Sequence, residues 1–273
     1  MSGILSLEFQ RAFRNPRFII VFLFALASFL VGWSRLGTPG TPYSLADSPL
    51  NAYNLWLMLP DFGYYVYLAP LLAALPYADS LLTDRKQGFL RHVSLRCSYR
   101  RYLSAKALAN AAVGAAAVAL PLLLLLCVTL LVAPAQVSGT QYFSRVYNAT
   151  QPVDALGFLY NSQPLLYAFY IIFLGALFGA VYASLGLAVS TLFSNPYLVL
   201  AAPFAFFNVA NYLTMSSIHL AVLGQPAAAL QPYTFPSSTT LQIAGQHLAL
   251  ISFAVACLSI FGRKTRLLGE AKG

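Results

Sequence analysis

The chain has 273 residues, of which 59% are hydrophobic and only 8% are charged, and its formal net charge is +9. Soluble domains carry about 25% charged and 45–50% apolar residues. A chain with so little charge lacks the polar surface that keeps a domain in water, which excludes an ordinary soluble enzyme or binding domain. The composition predicts a protein of the lipid bilayer.

The N-terminal segment, residues 1–16, predicts an amphipathic helix. Its apolar residues recur at spacings of three or four, which places them on one helical face opposite Glu8, Arg11 and Arg14. Such a helix suits the cytoplasmic interface of a membrane. An ordinary basic flank to the first span fits the same residues equally well. The apolar positions are Leu5, Phe9, Ala12, Phe13 and Pro16.

Six apolar stretches are long enough, with their flanks, to cross a bilayer. A hydrocarbon core of roughly 30 Å requires about 20 mainly apolar residues per helix. The stretches lack the alternation of a transmembrane β-strand, so the predicted fold is all-α, a polytopic membrane protein with six transmembrane helices. The stretches are 18–33, 62–82, 107–133, 165–193, 197–215 and 248–262.

The basic residues predict the orientation of these spans, because short cytoplasmic loops are enriched in Lys and Arg. An N-terminus in the cytoplasm puts 14 of the 16 basic residues on the inner side and leaves only Arg35 and Arg145 outside. Both termini are therefore predicted to be cytoplasmic. Since topology accounts for the positive charge, membrane lipid is the expected partner of these residues, and nucleic acid is not.

The second span combines two helix-bending residues with a carboxylate. Pro70 and Pro76 each remove a backbone donor, which predicts a bent helix. Asp79 lies near the inner end, and an ionisable residue in a span is by default a functional candidate. It is also within about one turn of the cytoplasmic surface, where Arg85 or Lys86 is expected to pair with it. A pathway role and a structural role both stay open.

The loop between the second and third spans, residues 83–106, holds seven of the 16 basic residues. Apolar residues at helical spacing among these charges predict a short amphipathic helix. Ser98 is predicted to cap a second helix that runs into the third span. Two short helices joined by a turn form a cytoplasmic platform that suits a docking partner. The apolar positions of the first helix are Phe89, Leu90, Val93 and Cys97.

The loop contains, in order, Asp84-Arg85, Gly88, Leu90, Ser98, Arg100 and Ala105-Lys106. This order resembles the coupling loop of ABC-2 type transporter permeases, the transmembrane subunits of ABC exporters, in which a short helix fits a groove on the ATP-binding subunit. The N-terminal segment also resembles that family's interfacial helix. The sequence departs from the family's pattern at Phe89, Val93, Ser94 and Cys97. The resemblance implies that the ATPase is contacted by Asp84, Arg85, Lys86, Gly88, Phe89, Leu90, Arg91, Val93, Ser98 and Arg100.

The same resemblance implies the organisation of the whole assembly. Residues 1–273 are expected to form a single ABC-2 transmembrane domain in a bacterial cell membrane, as a homodimer or related heterodimer of permeases beside two ATP-binding subunits. The chain itself is expected to bind no cofactor, with ATP and Mg held by the partner ATPase. Residues 134–163 are expected to form an outer loop. Residues 216–246 are implied to form short re-entrant helices that close the pathway outside, with a partly buried surface loop as the alternative.

Small and amide side chains mark the fourth and fifth spans. Gly175 and Gly179 form a GxxxG pair, which lets two helices approach closely. The pair fits packing inside one chain or the seam of a dimer. Asn208 and Asn211 are three residues apart and share a helical face. Their amides fit hydrogen bonds between helices or the lining of a polar path.

No catalytic motif is present in the sequence. It lacks a Walker A pattern, an HExxH pair and a GxSxG elbow. A transport subunit of this kind needs energy from a separate ATPase, and it is not expected to be an enzyme. The cysteines predict no disulfide framework, and Asn148 begins a glycosylation triplet whose use the sequence leaves open.

The predicted function is a permease that exports an amphipathic or hydrophobic substrate: a peptide, a drug or a lipid-like molecule. Self-protection against an antibiotic peptide is one instance that the family allows. The few charges and the aromatic residues Tyr64, Tyr65 and Tyr67 argue against a strongly charged small solute. Two alternatives from other classes are an intramembrane enzyme and a non-transporting membrane scaffold or sensor subunit.

Overall fold

The structure is a computed structural model, and it describes residues 2–36, 51–89, 98–133, 135, 154, 156–216, 224–234 and 240–270. Within these residues, every regular element is a helix. The α-helices are α1 (Ser2–Phe13), α2 (Arg17–Leu36), α3 (Ala52–Phe62), α4 (Tyr65–Ala74), α5 (Ser80–Lys86), α6 (Tyr99–Val132), α7 (Phe158–Ser162), α8 (Pro164–Val189), α9 (Pro196–Ser216) and α10 (Thr240–Glu270), with a 3₁₀ helix at Pro226–Ala229.

Five helices in the described part of the chain are long and apolar enough to cross a membrane: α2, α6, α8, α9 and Leu241–Ile260 of α10. The pair α3 and α4 passes the same test only when taken together, and it is bent by 73°. The predicted all-helical fold is confirmed, and its long apolar helices are compatible with a multi-pass membrane protein.

The bend between α3 and α4 lies at Gly63 and Tyr64. The backbone of Tyr64 is left-handed, with a φ of 59°. The hydroxyl of Ser28 in α2 donates to the carbonyl of Gly63 at 2.9 Å. A Cβ on Gly63 would lie 2.1 Å from the carbonyl oxygen of Ser28. Only a residue without a side chain lets α2 approach the bend this closely.

The stretch 62–82 is interrupted in the structure as the prolines predicted, but it also contains a sharper bend that they did not predict. Pro70 lies inside α4, and the 73° bend comes before it rather than at the prolines. α4 ends at Ala74, shortly before Pro76, and α5 begins only at Ser80. The backbone changes direction where a glycine is pressed against a neighbouring helix, a contact that the local sequence does not reveal.

Helix α3 is a buried element for which the hydrophobic pattern predicts no span, since its 11 residues are too few to cross a bilayer. The side chain of Asn51 caps it by accepting from the backbone N–H of Asn54 at 2.7 Å. Residues 52–60 are all buried. The indole Nε1 of Trp56 donates to the carbonyl of Leu122 in α6 at 2.9 Å, so α3 is part of the core.

The small residues of α8 pack inside the chain, which fits the packing role predicted for the GxxxG pair. A Cβ on Gly179 would lie 2.3 Å from the carbonyl oxygen of Gly114 in α6. A Cβ on Gly114 would meet the Cβ of Ala183 at 2.3 Å. Gly175 of α8 faces Leu122 of α6. A Cβ on Gly175 would lie 3.1 Å from Cδ1 of this leucine. These glycines bring the backbones of α6 and α8 into close contact.

The described part of the 216–246 segment is packed against protein. The 3₁₀ helix Pro226–Ala229 is largely buried, and Tyr233 donates to the carbonyl of Leu57 in α3 at 3.3 Å. From Thr240 the chain already belongs to α10. Apolar, broken segments persist near a membrane when they pack against protein or line a cavity, as this one does.

Candidate functional site

The corner between α1 and α2 positions the candidate site. Pro16 stops α1 because the residue before a proline avoids the helical region. Asn15 then fixes the corner: its Oδ1 accepts from the backbone N–H of Arg17 at 3.1 Å, and its Nδ2 donates to the carbonyl of Pro76 at 2.7 Å. α1 consequently lies beside α5 and the first turns of α6.

Two carboxylates and two cations meet between these helices. The Nζ of Lys106 lies 3.0 Å from Oε2 of Glu8 and 2.7 Å from Oδ2 of Asp84. Arg11 completes the ring, with Nη1 at 3.1 Å from Oε1 of Glu8 and Nη2 at 2.6 Å from Oδ1 of Asp84. We call these four residues the charged cluster. Its formal charges balance, and it joins α1, α5 and α6.

Two tyrosines complete the hydrogen bonding of the charged cluster. The hydroxyl of Tyr77 donates to Oε2 of Glu8 at 2.5 Å, and the hydroxyl of Tyr102 donates to Oδ2 of Asp84. Both rings flank Lys106, whose Nζ lies 4.9 Å from the centroid of the Tyr77 ring and 5.2 Å from that of the Tyr102 ring. Lys106 therefore has ionic, hydrogen-bonding and cation–π partners at once.

Burial makes this arrangement energetically demanding. The side chains of Lys106 and Asp84 are completely inaccessible, and that of Glu8 is 1% exposed. Buried ion pairs offset their desolvation only with good geometry and further hydrogen bonds. The charged cluster supplies both. Removing one charge from such a pair costs about 3–5 kcal/mol, because its partner stays buried without compensation.

Opposite effects set the pKa of Asp84. Burial by itself raises it, but the hydrogen bond from Arg11 and the charge of Lys106 outweigh burial and hold the pKa below the ordinary value of 3.8. Burial likewise lowers the pKa of Arg11, while Asp84 raises it above its usual range. Both groups are therefore held in their charged forms.

The charged cluster lies at the base of the basic loop 83–106. Asp84 is next to the first residue of the loop and Lys106 is its last, so their 2.7 Å contact ties the two ends together. Gly88 turns the chain out of α5 with a φ of +71°. Arg11 then lies over the ring of Phe89, at 5.0 Å from the centroid. The described ends of the loop are thus attached to α1 as well as to each other.

Several predicted partner contacts are accessible at this end. Lys86, Gly88, Ser98 and Arg100 are exposed, whereas Phe89 is partly buried. Ser98 is the residue before α6, as predicted, although its hydroxyl makes no capping hydrogen bond. Three further predicted contacts, Leu90, Arg91 and Val93, lie outside the described residues.

Two acidic residues need correction. The side chain of Asp84, which was predicted to contact a partner, is fully buried in the charged cluster. Asp79 pairs with Arg17, whose Nη1 lies 2.8 Å from both carboxylate oxygens. The predicted partners Arg85 and Lys86 lie further along α5, where Arg85 instead reaches the carbonyl of Phe193 at 3.5 Å.

The predicted face of α1 also needs correction. Glu8 and Ala12 are buried in the protein, while Leu7 and Phe13 are 47% and 40% exposed. The amphipathic pattern placed Glu8 on the polar outer face, but Lys106 and Tyr77 offset the cost of burying its carboxylate. Of the predicted apolar face, Ala12 is buried and Phe9 is partly buried, whereas Phe13 remains exposed.

The predicted pathway residues do not converge on one site. Asp79 is paired near the α1–α2 corner, and Gly175 and Gly179 lie in the contact between α6 and α8. Asn208 donates to the carbonyl of Phe204 in its own helix at 2.9 Å. The Oδ1 of Asn211 accepts from the backbone N–H of Ala227 at 3.3 Å and so attaches the 3₁₀ helix to α9.

Sequence reasoning missed the charged cluster because its members come from three separate segments. One signal was available: the chain has only seven acidic residues, and Glu8 and Asp84 both flank apolar runs at the predicted inner side. Carboxylates that near a bilayer are rarely left unpaired.

Comparison of the chain with models of known protein families, with characterised proteins and with solved structures finds no match. Across the described residues, no three His, Cys, Asp or Glu side chains converge as a metal site. What the charged cluster provides is a mechanical joint: an electrically neutral set of ion pairs and hydrogen bonds that connects α1, α5 and α6.

Proposed function

We propose that the chain is the transmembrane permease subunit of an ABC exporter of the ABC-2 type. It crosses the cell membrane six times, with α3 and α4 together forming the second, broken span and with both termini in the cytoplasm. A separate ATPase subunit supplies the energy, and ATP and Mg bind there. The substrate moves outward and is amphipathic or hydrophobic: a peptide, a drug or a lipid-like molecule.

The observation that supports this proposal most is the closed base of the basic loop. A flexible loop would not transmit a movement of its partner to the membrane helices. Here the contact between Asp84 and Lys106 ties the loop's ends, and Arg11 and Glu8 attach them to α1. Displacement of the loop therefore moves α1, α5 and α6 together, which is what a subunit driven from the cytoplasm requires.

The surface of the loop suits a protein partner. Lys86 and Arg100 are exposed cations in the described parts of the loop before and after residues 90–97. The ring of Phe89 is partly accessible. Arginine and aromatic side chains are enriched at protein interfaces. In this proposal Phe89 enters an apolar groove on the ATPase, Lys86 and Arg100 meet its acidic rim, and Asp84 supports them from inside.

The assembly contains two permeases, identical or related, and two ATPases. Closing of the two ATPases around ATP draws the two basic loops together. Because each loop is fixed to its helices through the charged cluster, the movement tilts α6 relative to its neighbours and opens the substrate path to the outside.

The test is affinity purification of the tagged chain from its native membrane in mild detergent. We expect a protein with a Walker A sequence to co-purify, and Lys86→Glu and Phe89→Asp to remove it. Arg14→Glu is the matched control, because Arg14 is exposed and lies in the turn after α1 rather than in the loop. Retention of the ATPase by both loop variants contradicts the docking assignment.

A non-transporting scaffold or sensor subunit is the second candidate, and one observation favours it. The polar residues predicted to line a pathway are all engaged inside the chain: Asp79 with Arg17, Asn208 with its own helix and Asn211 with Ala227. A scaffold predicts that the purified complex hydrolyses ATP at one rate whatever apolar peptide or drug is added. An intramembrane enzyme, the remaining alternative, predicts activity in the chain without any ATPase.

A further inference from the structure

A groove of about 600 Å³ lies between the first turns of α6 and the second half of α10. It falls within the range of roughly 300–1,000 Å³ that is typical of ligand sites. Arg100 lies in its lining towards the start of α6. Most of the wall is apolar and consists of Leu103, Ala107, Leu108, Ala111, Val255 and Leu258.

The groove is distinct from the charged cluster, although both use the same turns of α6. Lys106 and Tyr102 face inward and are buried, whereas Leu108 is 55% exposed on the opposite side. The lining on α6 extends from Tyr99 to Ala111, which corresponds to a length of about 18 Å at 1.5 Å per residue. An elongated and mainly apolar groove of this length can hold a hydrocarbon chain.

The level of the groove relative to the bilayer follows from the length of α6. Its 34 residues extend about 51 Å, while the hydrocarbon core is roughly 30 Å thick. The start of α6 therefore projects into the headgroup layer when the uniformly apolar remainder lies in the hydrocarbon. The groove has an apolar wall and an arginine at the level of the headgroup layer. A lipid has the same arrangement, because its acyl chain joins its charged headgroup at that level.

The charge at the mouth selects the headgroup. Arg100 and Arg101 are exposed, and neither forms an ion pair with any residue that the structure describes. No acidic residue belongs to the described lining. The sequence of α10 continues beyond the groove with Arg263, Lys264 and Arg266. Clustered cations beside a membrane helix attract anionic lipid headgroups.

We infer that this groove binds one anionic phospholipid, with an acyl chain between α6 and α10 and its phosphate at Arg100. A water-soluble phosphate compound makes no use of the apolar wall, and a zwitterionic lipid presents a second, positive charge to the arginines. The inference concerns the chain alone and holds with or without an ATPase partner.

The experiment is native mass spectrometry of the purified, delipidated chain with added phosphatidylglycerol or phosphatidylcholine. We expect one phosphatidylglycerol to bind several times more tightly than phosphatidylcholine. Arg100→Gln should weaken phosphatidylglycerol binding by about fivefold, because one basic residue near an anionic lipid surface strengthens binding by roughly that factor. Arg14→Gln, at an exposed arginine outside the groove, should leave the affinity unchanged.

A second variant tests the apolar wall. Ala107→Phe fills the groove and should reduce binding of both lipids, whereas Leu124→Phe adds bulk at an exposed position of α6 away from it and should not. Equal affinity for the two lipids, or full phosphatidylglycerol binding by Arg100→Gln, overturns the inference. So does efficient cross-linking of Leu108→Cys to a second copy or another protein in the native membrane, because the groove is then a protein interface.

Discussion

The two ends of the helical bundle are held together by different chemistry. At the end where α1 lies, the charged cluster makes ion contacts of 2.6–3.0 Å between helices that are remote in sequence. At the opposite end, neutral tyrosine hydroxyls connect the elements. Tyr233 donates to Leu57 and Asp61 at 3.3 Å each, and Tyr160 donates to Asn54.

The difference indicates which end is free to rearrange. A buried ion pair is strongly destabilised when its partner leaves, so α1, α5 and α6 are expected to move as one body. A neutral hydrogen bond contributes only about 0.5–1.5 kcal/mol net. The contacts of α3 and of 224–234 are therefore broken and re-formed more readily, and this tyrosine-lined end is where we expect the opening of a pathway.

The largest expected effect is that of Lys106→Met. It removes the cation between Glu8 and Asp84 while keeping a long side chain, and should destabilise the folded chain by about 3–5 kcal/mol. Thermal unfolding in detergent and the yield of monodisperse protein measure this loss. Lys86→Met removes an exposed lysine and serves as the control. Equal stability of the two variants contradicts the account of the charged cluster.

The bend between the two ends provides the next test. Gly63→Ala places a Cβ 2.1 Å from the carbonyl oxygen of Ser28, so α2 must shift. Overpacking of this kind costs about 1–3 kcal/mol. Gly245→Ala is the control, because a Cβ there meets no atom within 4 Å. An unchanged unfolding temperature for Gly63→Ala shows that α2 is not pressed against the bend.

At the tyrosine-lined end we expect a smaller loss. Tyr233→Phe removes hydrogen bonds to the carbonyl of Leu57 and to a carboxyl oxygen of Asp61 and should destabilise the chain by about 1–2 kcal/mol. Tyr197→Phe, at a side chain that is 81% exposed, should have no effect on the same unfolding measurement. A loss for Tyr233→Phe as large as that for Lys106→Met removes the distinction between the two ends.

The smallest expected effect is the change in stability with pH that Asp84 causes, because it is absent near neutral pH. Because the folded-state pKa of Asp84 is below its ordinary value of 3.8, its contribution to stability is fully present above that value. The contribution is lost only as the pH falls through the lower folded-state pKa. Unfolding temperatures measured from pH 7 to about pH 2 should show this loss, beginning below 3.8, in the wild type and not in Asp84→Asn. If stability is instead lost above pH 5, and Asp84→Asn removes that loss, the folded-state pKa of Asp84 is raised rather than lowered, which contradicts the account.

The sequence predicts those parts of the fold that depend on local pattern. Continuous apolar runs predict α2, α6, α8, α9 and α10, because burial of a whole helix in lipid leaves a signal at every residue. α3 left no such signal, since 11 residues are too short for a span and its burial depends on Trp56 reaching α6. The bend at Gly63 depends in the same way on its contact with Ser28.

The candidate site was accessible to sequence reasoning only in part. The pattern of the basic loop drew attention to Asp84 and Lys106, but it oriented Asp84 towards a partner, whereas the carboxylate faces inward. Whether a charge points out or in depends on counter-charges from elsewhere in the chain, here Arg11 and Glu8 of α1. Three segments must be placed together before that choice is determined.

The most direct test of the central claim is photo-cross-linking from the basic loop in the native membrane. A photoreactive residue is placed at Gln87, which is exposed next to α5, and a second one at Tyr64, exposed at the bend as a control. The account predicts an adduct between position 87 and a protein with a Walker A sequence, and no such adduct from position 64. An adduct from neither position, or one from position 87 only to lipid, contradicts an ATPase docked on this loop.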